Sequence, residues 1–436
     1  MRAMKDSGIQ WIGQIPEEWG LERLKYHASL NPTTELPMLS DGDEVSFIPM
    51  EHLKSGFHLQ SIVPYMKVKK GYVCFADGDI LMAKVTPCLE NGNLAIAGNL
   101  RKNIGFGSTE INVIRCNTIV NRFLFYLLQC HTYIDMARHH MYGVAGLKRL
   151  DPEFIPNTVI PVPSEKEQLK IVSYLDSKCA EIDTLIATKE KTNALLKERR
   201  QSIIYEAVTK GLNPDAPMKD SGVEWIGQIP EHWERIALKY CIQQIGSGTS
   251  VNAEDRPANT DEMGVLKTSC VSSGCFAALE NKAILENEYD RATCPVKADT
   301  VIVSRMNTPD LVGACGYVEE AHPNLYLPDR LWQVEFNKDC VAKYMWYFLT
   351  SKYVRNYYAS VCTGTSGSMQ NISQDQFGAI AFFKPSKTEQ QSIAEYLDRE
   401  CETLLSLIDV NEQSLQKLKE YRQSIIYEAV TGKIEV

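Results

Sequence analysis

The chain is written twice in pieces. MKDSGIQWIGQIPEEW at Met4–Trp19 returns as MKDSGVEWIGQIPEHW at Met218–Trp233, with thirteen of sixteen positions identical at an offset of 214. The match continues at Leu24-Lys25-Tyr26 and Leu238-Lys239-Tyr240. A second repeat closes each half. Pro163-Ser164, Glu167-Gln168, Ile171 and Tyr174-Leu175-Asp176 return as Pro385-Ser386, Glu389-Gln390, Ile393 and Tyr396-Leu397-Asp398. Arg200–Thr209 returns unchanged at Arg422–Thr431, and both of these matches sit at an offset of 222. The segments between, about 26–160 and 240–382, are almost unrelated, and the second is eight residues longer. Any fold for this chain must therefore hold two dissimilar inserts in two copies of one frame.

The frames read as long helices. Prolines 163 and 385 block helix just upstream. Residues 165–208 and 387–430 then contain neither Pro nor Gly, enough for two helices of about 65 Å. Leu175, Ile182, Leu196 and Ile203 repeat at heptad spacing, with Val172, Cys179 and Ile186 between them. Leu397, Leu404, Leu418 and Ile425 do the same, with Ala394, Cys401, Ile408 and Leu415. One narrow apolar stripe per helix is the pattern of a coiled coil. Lys189, Asn193 and Asn411 interrupt the stripes, and such polar interruptions fix register. Antiparallel pairing of the two helices would set the inserts at opposite ends of a rod, related by a pseudo-twofold axis. Two independent long helices on separate domains are the alternative. The Trp-Ile-Gly-Gln-Ile-Pro-x-x-Trp element, with four of the six tryptophans, reads as a clamp tying the chain to its helix rather than as a docking patch.

Each insert mixes β-like runs with amphipathic segments. Asp79–Val85, Glu110–Ile114, Thr300–Val303 and Leu331–Val334 read as strands, and Arg122–Tyr133 and Lys343–Val354 as helices. Two echoes link the inserts: Asp79-Ile80-Leu81 before Lys84 resembles Asp299-Thr300-Val301 before Arg305, and Phe125-Tyr126-Leu127 resembles Tyr347-Phe348-Leu349. The expected class is α+β: two globular domains separated by a long antiparallel two-helix coiled coil. The expected divisions are 1–163, the helix 164–210, a linker 211–217, 218–384 and the helix 385–436. At 44 % hydrophobic and 23 % charged residues, a mainly disordered chain is excluded.

Motifs of catalysis are missing. There is no phosphate-binding G-x-x-x-x-G-K-[ST] loop and no G-x-G-x-x-G turn. Asn31-Pro32-Thr33-Thr34 lacks the second Pro and the aromatic of an amino-methyltransferase N-P-P-[YF] and reads as a turn. Asp261 with Glu280 is a faint nuclease-like carboxylate pair. Cys130-His131 with His139-His140 lacks the tight spacing of a zinc site. No metal site is expected. Thirteen scattered cysteines without a C-x-x-C fit reduced thiols in the cytoplasm. Neither a signal peptide nor a membrane span is expected.

What remains is basic and amide-bearing. Lys67, Lys69 and Lys70, Lys84, Arg101-Lys102, Arg138-His139-His140 and Lys148-Arg149 mark the first insert. Arg305, with Ser366, Ser368, Gln370 and Asn371, marks the second. Gly143–Gly146 and Gly364–Ser368 occupy like places, and Gly-rich loops let backbone N–H groups approach phosphates. Arg, Lys, Gln and Asn read base edges in the major groove. Solvated surface is the competing reading for each cluster. The net charge of -9 argues against nucleic acid at first sight. It is uneven, however: residues 1–210 carry 25 basic and 24 acidic side chains, and residues 211–436 carry 21 and 31.

Taken together, the Asp6–Trp19 motif and its copy at Asp220–Trp233, the two Pro-x-x-x-Glu-Gln helix starts and the duplicated Ser202–Thr209 helix end resemble the specificity (S) subunits of type I restriction–modification systems, over the full length. That resemblance implies a DNA-binding subunit without chemistry of its own, whose two variable segments each read half of a split, asymmetric target in double-stranded DNA. It implies that the helices set the gap and dock two modification (M) subunits, which bring S-adenosylmethionine. Restriction (R) subunits would add ATP- and Mg-dependent cleavage. One departure is that the first helix ends Thr209-Lys210-Gly211 and the second Thr431-Gly432-Lys433. A protein-interaction scaffold built on the coiled coil, without DNA, is the competing class.

Overall fold

A computed structural model describes residues 2–144, 146–224, 226–366 and 369–436. Trp225, Gly367 and Ser368, singled out above, lie outside the described residues. Eight helices among them are used below: α1 (Asn121–Gln129), α2 (His131–His139), α3 (Phe154–Asn157), α4 (Glu165–Lys210), α5 (Ala342–Thr350), α6 (Lys352–Val361), α7 (Gln374–Ala379) and α8 (Lys387–Val430). The chain divides into two units, Met1–Glu190 with Gln413–Val436, and Lys191–Glu412. Each unit thus takes part of both long helices.

In the first unit, two four-stranded sheets are stacked. The inner runs Ala28–Leu30, Ile111–Cys116, Ile80–Ala83, Leu94–Ile96, all antiparallel. The outer runs Ser61–Pro64, Glu44–Ile48, Ile104–Gly107, Val73–Ala76, with one parallel pair at its centre. Side chains alternate across a strand, and both faces of the inner sheet are covered. Ile80, Met82 and Ile114 join a core with α1, α2 and the long helices, while Leu81, Ala83, Ile111 and Val113 join the core under the outer sheet. That double burial is why Ile80–Ala83 is apolar throughout.

The second unit repeats the plan from unrelated residues. Its inner sheet runs Ile242–Ser247, Leu331–Phe336, Thr300–Ser304, Cys315–Val318, again all antiparallel. Its outer sheet runs Ala253–Glu254, Asn281–Ile284, Gly264–Leu266, His322–Tyr326, Pro295–Val296, with the parallel pair again central and one strand more at the edge. Val301, Val303, Trp332 and Val334 face the helices, and Ile302 and Leu331 face outward.

Two expectations need correction. The segments Arg122–Tyr133 and Lys343–Val354 are not single helices. Cys130 and Ser351 turn extended (ψ 134° and 148°) and split each into a pair. In the second unit the Ser351 hydroxyl donates to the Phe348 carbonyl at 2.6 Å, beside the Ser351 backbone N–H at 3.1 Å, so the break itself is hydrogen-bonded. The echoes between inserts are also one residue out of step. Lys84 and Arg305 both follow the last residue of the strand, but the faces pair Ile80 with Val301, and Tyr126 of α1 answers Tyr347 of α5, each bonded to an aspartate of its long helix.

The repeated frame explains itself at the atomic level. Gly20–Arg23 pairs with Val159–Val162, and Glu234–Ala237 with Ala381–Lys384, so each insert leaves and rejoins the frame through adjacent strands. Trp19 and Trp233 are buried, and their indole N–H groups donate to Glu167 and Glu389 at 3.4 and 3.1 Å. The clamp reading therefore describes both.

The long helices run antiparallel within each unit. In the first, Arg422 reaches Asp183 and Lys419 reaches Glu190. In the second, Lys197 reaches Glu412 and Asn411 donates to Asn193 at 2.8 Å. Leu175, Cys179, Ile182, Ile203, Leu397, Cys401, Ile408 and Ile425 are buried, while Ile186, Leu196, Leu404 and Leu418 are half-buried. Gly211 and Gly432, at positive φ, end the helices, so α4 runs through Lys210 and α8 stops at Val430.

Candidate nucleic-acid interface

In both units a β-hairpin follows the second short helix and docks onto the segment that leaves the central strand. In the first unit it pairs Met141–Val144 with Leu147–Leu150. Leu150 donates to the Lys84 carbonyl at 2.8 Å, and Thr86 N–H donates to the Lys148 carbonyl at 3.0 Å. The Thr86 hydroxyl donates to the Gly146 carbonyl and accepts from Lys148 N–H. In the second unit Thr363–Ser366 pairs with Met369–Asn371, which pairs in turn with Met306–Asn307. Ile372 N–H donates to the Arg305 carbonyl, and the Arg305 guanidinium donates to the Asp329 carbonyl at 2.7 Å.

Of the two expected glycine loops, Gly143-Val144 and Gly364–Ser366 are strand and Gly146 lies in a turn; the first glycine of each has a steric reason. A Cβ on Gly143 would lie 2.1 Å from the Leu147 carbonyl oxygen, and one on Gly364 would lie 2.2 Å from that of Met369. Only glycine permits such close approach of the two strands.

The structure sorts the candidate residues of the first insert into two neighbourhoods. Lys84, Lys148 and Arg149 come together where the hairpin docks, with Arg138, His139 and His140 at the C-terminal end of α2 leading into it. Arg149 pairs with Glu110. Burial holds the Lys84 ammonium below the ordinary lysine range; Glu110 opposes this and Arg149 adds to it. Arg138 bonds Asp135 and the Glu90 carbonyl, and His139 meets the Asp135 carbonyl. Lys148, His139 and His140 are exposed.

The other neighbourhood belongs to the outer sheet. There Lys69, Lys102 and Arg101 pair with Asp41, Asp43 and Glu44 at 2.8, 3.2 and 2.7 Å. An acidic loop thus answers these three cations, leaving exposed Lys67 and Lys70 beside them. Their sequence clustering overstated the free positive charge.

Sequence reasoning passed over the apolar part of the first hairpin. Tyr142, Val144 and Leu147 are 58 %, 85 % and 73 % exposed, on a strand pair that projects cations beside them. Alternation on either side of the Gly146 turn was the available signal. In the second unit Arg305, Gln370 and Asn371 are half-buried around the corresponding hairpin.

Among the described residues no group of three His, Cys, Asp or Glu side chains could hold a metal ion. Cys130 is buried in the core, where burial pushes its thiol up, while His131 is exposed. Glu280 accepts from Ser269 at 2.6 Å, and Asp261 is exposed. No helix among them is long and apolar enough to cross a membrane.

Two further clefts lie against the duplicated helix end. In the second unit a groove of about 1030 Å³ is lined by Lys197, Gln201 and Tyr205 of α4 and by Tyr353 and Tyr357 of α6. In the first, one of about 430 Å³ is lined by the repeat-equivalent Lys419, Gln423 and Tyr427, with His131.

The sequence profile of the type I restriction modification DNA specificity domain matches residues 34–197. The type I restriction enzyme EcoEI specificity subunit of Escherichia coli is 26 % identical over 485 residues, covering 92 % of this chain and 81 % of that protein. The chain is thus similar to type I restriction enzyme specificity subunits over most of its length. The MjaVIII specificity subunit of Methanocaldococcus jannaschii is 24 % identical over 97 % of this chain and 94 % of its own length. A solved chain from work on complex assembly and conformational transition of the type I R-M system shares the fold at a TM-score of 0.69, with 16 % identity, covering 96 % of this chain and 99 % of that chain.

Proposed function

We propose that this chain reads a two-part, asymmetric sequence in double-stranded DNA, one half-site per unit, and does no chemistry itself. The observation that carries the reading is one architecture built from two unrelated inserts, each presenting a docked hairpin of different chemistry. Cations surround the first hairpin, whereas the second offers Gln370 and Asn371 beside Arg305. Such groups contact phosphates and base edges.

The antiparallel helix pair sets the spacer between the half-sites, by the geometric logic of dimeric repressors. Two modification subunits dock on the frames and supply S-adenosylmethionine; restriction subunits supply ATP- and Mg-dependent cleavage; the complex works in the cytoplasm. Support for two like partners comes from exposed residues that the repeat keeps alike. Tyr26 and Tyr240 are 63 % and 66 % exposed, and the two grooves share the lining Lys-Gln-Tyr set. Leu185, Leu195, Leu405, Leu407 and Val410 are exposed on the long helices. Apolar side chains in such number on a helix surface mark a protein contact. With so little free positive charge, partners must also furnish much of the phosphate contact.

The test is domain exchange. Replacing residues 26–160 by another insert of the family, assembling the complex and sequencing methylated adenines should change one half-site and leave the other half-site and the spacer unchanged. Alteration of both half-sites, or none, would sink the reading.

A further inference from the structure

Both units seat their insert on the long helix through the same atoms. Gln168 and Gln390 are buried. The Gln168 side-chain carbonyl accepts from Val120 N–H at 2.7 Å, and that of Gln390 from Val341 N–H at 2.9 Å. Their amides donate to the Pro163 and Pro385 carbonyls at 2.9 and 3.0 Å, which fixes each amide plane. Two helical turns further on, Asp176 and Asp398 accept from the hydroxyls of Tyr126 and Tyr347 at 2.6 and 2.9 Å. The same carboxylates meet Arg122 at 2.7 Å and Lys343 at 2.9 Å.

The insert side of this contact is a seven-residue pattern, Val-x-[Arg/Lys]-x-x-x-Tyr. It reads Val120-Asn121-Arg122-Phe123-Leu124-Phe125-Tyr126 in one insert and Val341-Ala342-Lys343-Tyr344-Met345-Trp346-Tyr347 in the other. The four positions between differ throughout. Val120 and Val341 cap the N-termini of α1 and α5 with no side-chain cap of their own, so the glutamine supplies an acceptor that the helix start lacks. One hold lies at the residue that caps a rigid nine-residue helix and the other on its second turn. Two holds on a rod fix its direction, and α1 and α5 pack against the inner sheets.

We infer that Gln168 with Asp176, and Gln390 with Asp398, are positioning residues that set the angle at which each reading domain stands on the helix pair. The seven-residue pattern is then what an insert must carry to be seated. This rests on the reading of a two-part target with a fixed spacer. Loosening a seat should blur the spacer without changing the bases read, because no seat residue belongs to a hairpin.

The test uses the complex with modification subunits and a pool of duplexes in which the spacer runs from two base pairs short to two long. Asp176→Asn combined with Tyr126→Phe keeps side-chain volume nearly constant. It should lower the preference for the native spacer over its one-base-pair neighbours about tenfold, the equivalent of one hydrogen bond to a charged group. Asp398→Asn with Tyr347→Phe should do the same, and half-sites should stay as in the wild type. Tyr126→Phe alone, one oxygen atom removed, should give a smaller loss and serves if the double variant does not fold. A lowered melting temperature with spacer preference intact would overturn the inference and leave the seat merely structural. Changed half-sites would overturn it too. Absence of any spacer preference in the wild type would overturn the two-part reading itself, and the inference with it.

Discussion

The two units share a skeleton and differ in what they show to solvent. Both stack a four-stranded inner sheet of one order on an outer sheet with a central parallel pair. Both bury a tryptophan against a glutamate in the first turn of the long helix. Yet the first unit carries its hairpin amid cations and exposed apolar side chains, and the second amid amides. The first also adds Arg2 to the Trp19–Glu167 clamp, where the second has Ala216 and instead offers His232. Inner surfaces are held to one solution by packing, and outer ones are free to diverge.

The largest effect that should break this likeness is loss of a clamp. Trp19→Ala and Trp233→Ala each remove a fully buried side chain, at a cost of about 3–5 kcal/mol. Hydrogen exchange should show each variant loosening its own unit and sparing the other. If both units loosened equally, they would not be separate bodies of structure. Next come the hairpin glycines. Gly143→Ala and Gly364→Ala force a Cβ onto the opposite strand's carbonyl, with strain of about 1–3 kcal/mol. Each should weaken methylation at one half-site many-fold more than at the other, as read by methylated-adenine sequencing with single half-site changes in the duplex. Equal loss at both would place the reading elsewhere.

The smallest effect sharpens the difference at the clamp. The Arg2 and Trp19 hydrogen bonds hold the Glu167 carboxyl below its ordinary value of 4.5, against burial, which raises it. A folded-state value below the unfolded one gives stability that is full above about pH 4.5 and is lost as pH falls through the lowered value. Solvent still reaches this half-buried pair and screens it, so the effect is small, under about 1 kcal/mol. Urea midpoints of the wild type should exceed those of Arg2→Ala near neutrality, and the gap should close towards pH 3. A gap that persisted there would show that Arg2 acts through packing alone.

Much of this was legible in the residues. The duplicated segments located the frame, the heptads located the helices, and the apolar run within Asp79–Val85 located a strand, though not that both its faces are covered. Contacts distant in sequence were not legible. Asp41, Asp43 and Glu44 neutralise Lys69, Lys102 and Arg101 from 28 to 59 positions away, so a run of lysines looked more electropositive than it is. The breaks at Cys130 and Ser351 carry no Pro or Gly, because packing rather than backbone preference sets them. The seat at Val120–Tyr126 escaped notice because its echo was aligned one residue out, which paired Tyr126 with Phe348 in place of Tyr347.

The division of the long helices bears on the order of assembly. The second unit uses a continuous stretch, Lys191–Glu412, whereas the first needs Gln413–Val436 to complete it. Ile425, Ile426, Ala429 and Val430 are a wall of the first unit's core. A ribosome delivers them after the whole of the second unit. The half of the chain made first is therefore completed after the half that follows it. Until Ile425–Val430 emerge, it exposes the apolar face that those four side chains will cover, and a message cut short before them harms the domain encoded far upstream.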